Sequence, residues 1–120
     1  MNRLTEEIIG LAIKVHKRLG PGFVERIYEQ ALAYELQRCG IPAVRQKAIT
    51  VRYEGLDLGA QRVDLLVGEE VIVEIKSVSE FNAIHEAQML SYLRTADKRV
   101  GLILNFAKPT LSIKRMVNRF

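Results

Sequence analysis

Asp64, Glu74 and Lys76 lie on two neighbouring segments that read as strands of one hairpin. Odd positions Val63, Leu65 and Val67, and then Val71, Val73 and Ile75, are all apolar, whereas the even positions include Arg62, Asp64, Glu74 and Lys76. Cross-strand partners share a face, so matching the apolar faces pairs odd residues with odd ones. A two-residue Gly68-Glu69 turn would set Asp64 against Val73. A three-residue turn, Gly68 to Glu70, pairs Val67 with Val71 and hence Asp64 with Glu74, with Lys76 on the same face. Two carboxylates so placed repel by about 4 kcal/mol at about 4 Å and an effective dielectric near ~20. A hard divalent cation bound by both would offset that repulsion, and Lys76 beside it could position a water or stabilise charge on a phosphate. The same residues also suit a plainer arrangement, in which Lys76 pairs with Asp64 or Glu74 on a solvated sheet face.

Elements on either side must position this hairpin. Leu4, Ile8, Leu11, Ala12, Val15 and Leu19 fall on one helix face, with Thr5 as its cap, Leu4 stapled to Ile9, and Gly20-Pro21 as its stop. A second helix is expected from Phe23 to Cys39, ended by Gly40 and Pro42. Strands follow at Val44–Tyr53, Gln61–Val67 and Val71–Ser77, with a turn at Glu54-Gly55. Asn82–Thr95 returns to helical spacing, with Ala83, Ala87, Leu90 and Leu93 facing inward. Val100–Phe106 is apolar on both faces, as suits an interior strand reached by a crossover helix, and Ser112–Val117 reads as a charged edge strand. The order ααβββαββ implies an α/β fold, a central mixed sheet flanked by helices.

At 120 residues, 48% hydrophobic and 27% charged, the chain has the composition of one globular domain spanning 1–120. Its longest uncharged stretch, Val100 to Ala107, is far below the roughly 20 residues needed to cross a bilayer. Glu6 and Glu7 interrupt the place where a signal peptide's apolar region would start, so the expected address is cytoplasmic. Cys39 is the only cysteine, which excludes an internal disulfide, and with two histidines a zinc site is short of ligands. Eighteen Lys and Arg against 14 Asp and Glu give a net charge of +4, compatible with a nucleic-acid partner. Gly20-Pro21-Gly22 follows a helix and lacks the third glycine of a dinucleotide fingerprint. There is no phosphate-binding P-loop, no nucleophile elbow and no clustered aromatic platform for single strands.

Asp64, nine intervening residues and then Glu74-Ile75-Lys76 resembles the metal-binding signature of the PD-(D/E)XK nuclease superfamily, with Val63 where the proline of that name would stand. Gln88 and Tyr92 resemble the Gln-x-x-x-Tyr motif of its exonuclease branch. Gly22-Phe23-Val24-Glu25-Arg26-Ile27-Tyr28 resembles the Gly-x-x-Glu-x-x-Tyr signature of a small family within it, GxxExxY. The similarity runs from the first helix to Asn118-Arg119-Phe120. It implies a restriction-endonuclease-like core with Asp64, Glu74 and the Ile75 carbonyl as ligands of Mg²⁺ or Mn²⁺, Lys76 as the catalytic lysine, and Glu25 as the helix carboxylate that completes the site. Gln88 and Tyr92 would approach the site and the substrate strand. Glu25 also suits a helix-dipole partner, and Gln88 and Tyr92 a polar edge of an amphipathic helix.

His85, one turn before Gln88, could reach a phosphate or be an ordinary surface histidine. Arg45, Lys47, Arg52 and Arg62 could grip a nucleic-acid backbone or merely keep a sheet edge soluble. The function expected is metal-dependent hydrolysis of phosphodiesters in DNA. A non-catalytic nucleic-acid-binding or assembly module that keeps the fold is the alternative. So small a chain offers little area for gripping a duplex, which makes a homodimer part of the expectation.

Overall fold

The computed structural model describes residues 3–119, in which α1 (Arg3–Leu19) and α2 (Glu25–Arg38) precede β1 (Ala43–Tyr53), β2 (Leu56–Val67) and β3 (Val71–Lys76). Then come α3 (Ala83–Ala96), β4 (Val100–Asn105) and β5 (Ser112–Val117), which completes the expected ααβββαββ order. Phe120, where the resemblance ends, lies outside the described residues. The strands form one sheet in the order β1-β2-β3-β4-β5. β3 and β4 are parallel and every other pair is antiparallel. That single parallel step requires a crossover, and α3 supplies it. β5 is the edge strand expected from its charge, with Lys114 and Arg115 exposed.

Each face of the sheet carries its own core. Ile8, Ala12, Tyr28, Leu32 and Leu36 of the first two helices pack on Leu65, Val67, Val71, Val73 and Ile75. Met89, Tyr92 and Leu93 of α3 pack on the other face against Leu66, Ile72 and Ile103. The alternation of β3 thus divides its residues between the two cores.

Several local expectations change. Thr5 is not a cap: the helix already includes Arg3, and Thr5 is buried on the inner stripe three residues before Ile8. Gly20 does end α1, with φ +72° and its N–H on the His16 carbonyl at 2.8 Å. In α3, Ala83 and Ala87 are exposed and Met89, Tyr92 and Leu93 face inward. Met89 sets that rotation, because it fills the space over Gly101, where a Cβ would stand only 2.3 Å from its sulfur. β2 starts at Leu56, not Gln61. Residues 56–60 have no β-branched side chain, but a tight Glu54-Gly55 turn with positive φ at both residues pairs them with β1.

The single apolar face expected for β2 also fails. Val63 packs with Leu66 and Ile72 on the α3 side, whereas Leu65 and Val67 face the first two helices. Odd positions therefore exchange faces across Asp64. β1 reverses at the same level, since Ala43 packs with the first core and Ile49 with the second. The two strands turn over together between Gln46 and Asp64.

Tyr28 fixes the entry to α2. Its ring stacks on Phe106 at 4.4 Å, its hydroxyl donates to the Gly20 carbonyl at 2.6 Å, and the same oxygen accepts the Phe23 N–H at 3.1 Å. The connecting loop is thereby closed over a buried side chain, with Gly22 at φ +114°. Tyr28→Phe keeps the stack and orphans both backbone groups. It should lower the unfolding free energy by about 1–3 kcal/mol in urea denaturation, with an unchanged m-value.

Candidate active site

β2 and β3 leave their turn paired through Val67–Val71, Leu66–Ile72 and Leu65–Val73, and there the ladder stops. Asp64 and Glu74 come next in the same register, across a gap that side chains bridge. The Asp64 N–H donates to Glu74 Oε2 at 2.7 Å, and the Ile75 N–H donates to Asp64 Oδ2 at 2.8 Å. Each carboxylate thus accepts from a backbone amide that the interrupted ladder would leave without a partner. The three-residue turn and the adjacency of the two carboxylates match the pattern of apolar faces.

Electrostatics at this gap are unfavourable without a counter-charge. Glu74 is buried, and its carboxyl is pushed up to about 8, first by loss of water, then by the Asp64 charge, with Glu29 adding to the rise. The bond from the Asp64 amide and the charge of Lys76 pull the other way. Lys76 is half-buried at the end of β3 and forms no ion pair within 4.0 Å among the described residues. Beyond it, the fully buried Asn105 accepts the Val78 and Ala107 N–H groups at 3.1 Å each and donates to the Val78 carbonyl at 2.7 Å, pinning the chain that leaves the site.

The residues at the gap suit a hard cation. Asp64 and Glu74 offer carboxylate oxygens, and the burden of burying Glu74 charged is what a cation would relieve. The N–H of Ile75 points toward β2, and in an extended strand the carbonyl of the same residue points to the same edge. The next carbonyl, on Lys76, faces β4 and accepts the Phe106 N–H at 2.9 Å. Ile75 therefore turns a main-chain oxygen toward the gap. Among the described residues no group of three or more His, Cys, Asp or Glu side chains converges on one point. The set that fits is two carboxylates and a carbonyl, the rest of the coordination left to water, as Mg²⁺ commonly accepts.

Glu25 is exposed in the first turn of α2, and its Oε2 accepts the Ser77 N–H at 3.1 Å, one residue beyond Lys76. One helical turn later, Glu29 is buried, a placement the sequence reading missed although its four-residue spacing from Glu25 puts both on one face. Arg45 Nε donates to Glu29 Oε2 at 2.9 Å, and Gln46 Nε2 donates to Glu29 Oε1 at 2.8 Å and to Asp64 Oδ1 at 3.3 Å. From the opposite face, Tyr92 reaches the same charges. Its hydroxyl is raised by burial and by Glu74 and Asp64, and a hydrogen bond with Gln88 acts against that rise.

The remaining candidates are placed less centrally. His85 belongs to the capping box of α3, its Nδ1 accepting the Asn82 N–H at 3.4 Å while Asn82 Oδ1 accepts from Ile84. Arg45 is held by Glu29, and Arg62 Nη1 donates to the Gln46 carbonyl at 2.8 Å. Lys47 and Arg52 are exposed on β1.

A family model described as the PD-(D/E)XK nuclease superfamily matches residues 2–119. A search of curated proteins found no match. Among solved structures, the protein called SSO0001 matches with a TM-score of 0.58 and 14% identity over 79% of this chain. The chain spans 50% of that protein's length. An alkaline exonuclease (LHK-Exo) from Laribacter hongkongensis matches with a TM-score of 0.57 and 14% identity, covering 99% of this chain and 73% of that one. At such identity the likeness establishes the fold.

Glu74 binds its proton more tightly in the folded chain, near 8, than at its ordinary value of 4.5. The stability this confers is complete below about 4.5 and is lost as pH rises through about 8, a change on the order of 5 kcal/mol. The metal-free melting temperature should fall across that window, and Glu74→Gln, which keeps an acceptor for the Asp64 amide, should flatten the slope. Equal slopes in thermal melts from pH 5 to about 9 would assign the pH dependence elsewhere.

Proposed function

Because the chain belongs to the PD-(D/E)XK nuclease superfamily, whose members generally use divalent metals, we propose that it hydrolyses phosphodiester bonds in DNA with Mg²⁺ or Mn²⁺. One observation carries this reading: Asp64 and Glu74 cap each other's strand beside a lysine that has no ion-pair partner among the described residues. Asp64, Glu74 and the Ile75 carbonyl would hold the cation, with Glu25 as the helix carboxylate that completes the set. When bound, such an ion would supply Lewis-acid polarisation of the phosphate and a water of lowered pKa. Lys76 would hold a water or the charge that develops on the phosphate, from a strand end that Asn105 and Glu25 keep in place. Tyr92, oriented by Gln88, faces the same pair of carboxylates and is the contact assigned to the substrate strand.

The GxxExxY subfamily is part of the same proposal. Gly22 adopts a positive φ, Glu25 ties α2 to Ser77, and Tyr28 closes the loop between them, so each residue of the signature has a separate task in one local structure. A homodimer, a single domain over 1–120 and a cytoplasmic address complete the reading. No helix is long and apolar enough to cross a membrane among the described residues.

The test is a cleavage screen over single-stranded, duplex and branched DNA and RNA, with and without Mn²⁺, on protein freed of contaminating nucleases. Lys76→Met should abolish cleavage while melting temperature and Mn²⁺ affinity stay near wild type, because the ammonium acts mainly in the transition state. Asp64→Asn should instead weaken Mn²⁺ binding in calorimetry without unfolding the chain. Wild type that binds DNA and cuts no substrate with either metal would replace this reading with the non-catalytic module.

A further inference from the structure

Gln46 has a backbone conformation that its place in a strand does not explain. Its φ is +51°, in the left-handed region that side chains other than Asn, Asp and Gly rarely occupy. The other non-glycine residues with positive φ among those described are Glu54 and Glu69 in hairpin turns and Asp97 at the C-cap of α3. Gln46 makes no turn. Arg45 still pairs with Leu65 and Lys47 with Val63, so the register passes through unshifted and only the Gln46–Asp64 pair is missing. An inserted residue is therefore not the cause. The kink coincides with the level at which β1 and β2 exchange faces, and it also sets what the side chain holds.

Three contacts show what that is. Arg62 Nη1 fixes the Gln46 carbonyl at 2.8 Å, which locks the kink from β2. The side-chain amide then donates to Glu29 Oε1 at 2.8 Å and to Asp64 Oδ1 at 3.3 Å, one donor nitrogen serving two carboxylates. Asp64 Oδ2 is already bound to the Ile75 N–H, so the amide fixes the second oxygen and with it the plane of the carboxylate that adjoins Glu74. Glu29 is drawn to the amide and to Arg45 instead of standing unpaired against Asp64.

We propose that Gln46 is a positioning residue: its left-handed kink aims a neutral donor between Glu29 and Asp64 and thereby presents Asp64 to a metal shared with Glu74. The inference rests on the metal-site reading above. A partner outside the ligands that orients a ligating carboxylate commonly changes metal affinity 10- to 100-fold. Arg62, on this account, acts through Gln46.

Two substitutions in the full chain separate the amide from the backbone. Gln46→Gly suits positive φ and removes the amide, while Gln46→Met keeps the length and the strain but cannot donate. Calorimetry with Mn²⁺ should show affinity about tenfold weaker in both variants. The metal-free melting temperature of Gln46→Gly should stay near that of wild type, because relief of the positive φ offsets the bond lost to Glu29. If Gln46→Met does not fold, Gln46→Gly decides alone. A glycine variant with wild-type Mn²⁺ affinity, or one that loses affinity only in step with melting temperature, overturns the proposal. Wild type that binds no Mn²⁺, or Asp64→Asn that binds as tightly as wild type, overturns the metal-site reading and this inference with it.

Discussion

The reciprocal bonds between Asp64 and Glu74 are the constraint on which the rest of the site depends. Two strands that pair for three residues then part, and each backbone amide exposed by the parting is taken by a carboxylate from the other strand. The gap is stable as backbone structure because its donors are satisfied. It is unfavourable as electrostatics once both are ionised, since the acceptors are then two like charges and one of them is buried. A site with satisfied hydrogen bonds and unsatisfied charge favours a ligand that brings positive charge without needing the same donors.

The elements around the gap are arranged to reach it from both faces of the sheet. The first two helices approach from one side, and Tyr28 on Phe106 sets where α2 starts, which places Glu25 against Ser77 and Glu29 one turn deeper. On the other side, Met89 over Gly101 fixes the rotation of α3 and so brings Tyr92 toward Glu74. The crossover from β3 to β4 makes both possible. It puts the strand carrying Glu74 and Lys76 in the middle of the sheet, with a helix on each face.

Much of this was legible in the residue pattern. The odd-numbered apolar positions of the hairpin specified the Val67–Val71 pairing, and that register alone brings Asp64 beside Glu74. The same rule failed one residue further on, because Val63 crosses to the α3 face. Nothing in the side-chain alternation marks a strand that turns over, and glutamine is not a residue whose presence announces positive φ. Glu29 was hidden for a related reason: a glutamate on an amphipathic helix reads as solvated unless its partners, here Arg45 and Gln46, are known to face it. Alanines misled the reading of α3, being as compatible with an exposed face as with a buried one.

The double duty of the two carboxylates also limits how fold and chemistry can be separated. An alanine at Asp64 would remove the negative charge and at the same time strip the Ile75 N–H of its acceptor, so lost activity and lost stability would arrive together. An amide at the same position keeps an oxygen for that N–H and removes the charge, at the cost of the side-chain bond from Gln46 to the second oxygen. Repulsion within the gap then falls, and the folded chain loses nothing that the backbone needs. Conservation of shape with loss of charge is thus the one class of change that tests chemistry here without first disturbing the strands that carry it.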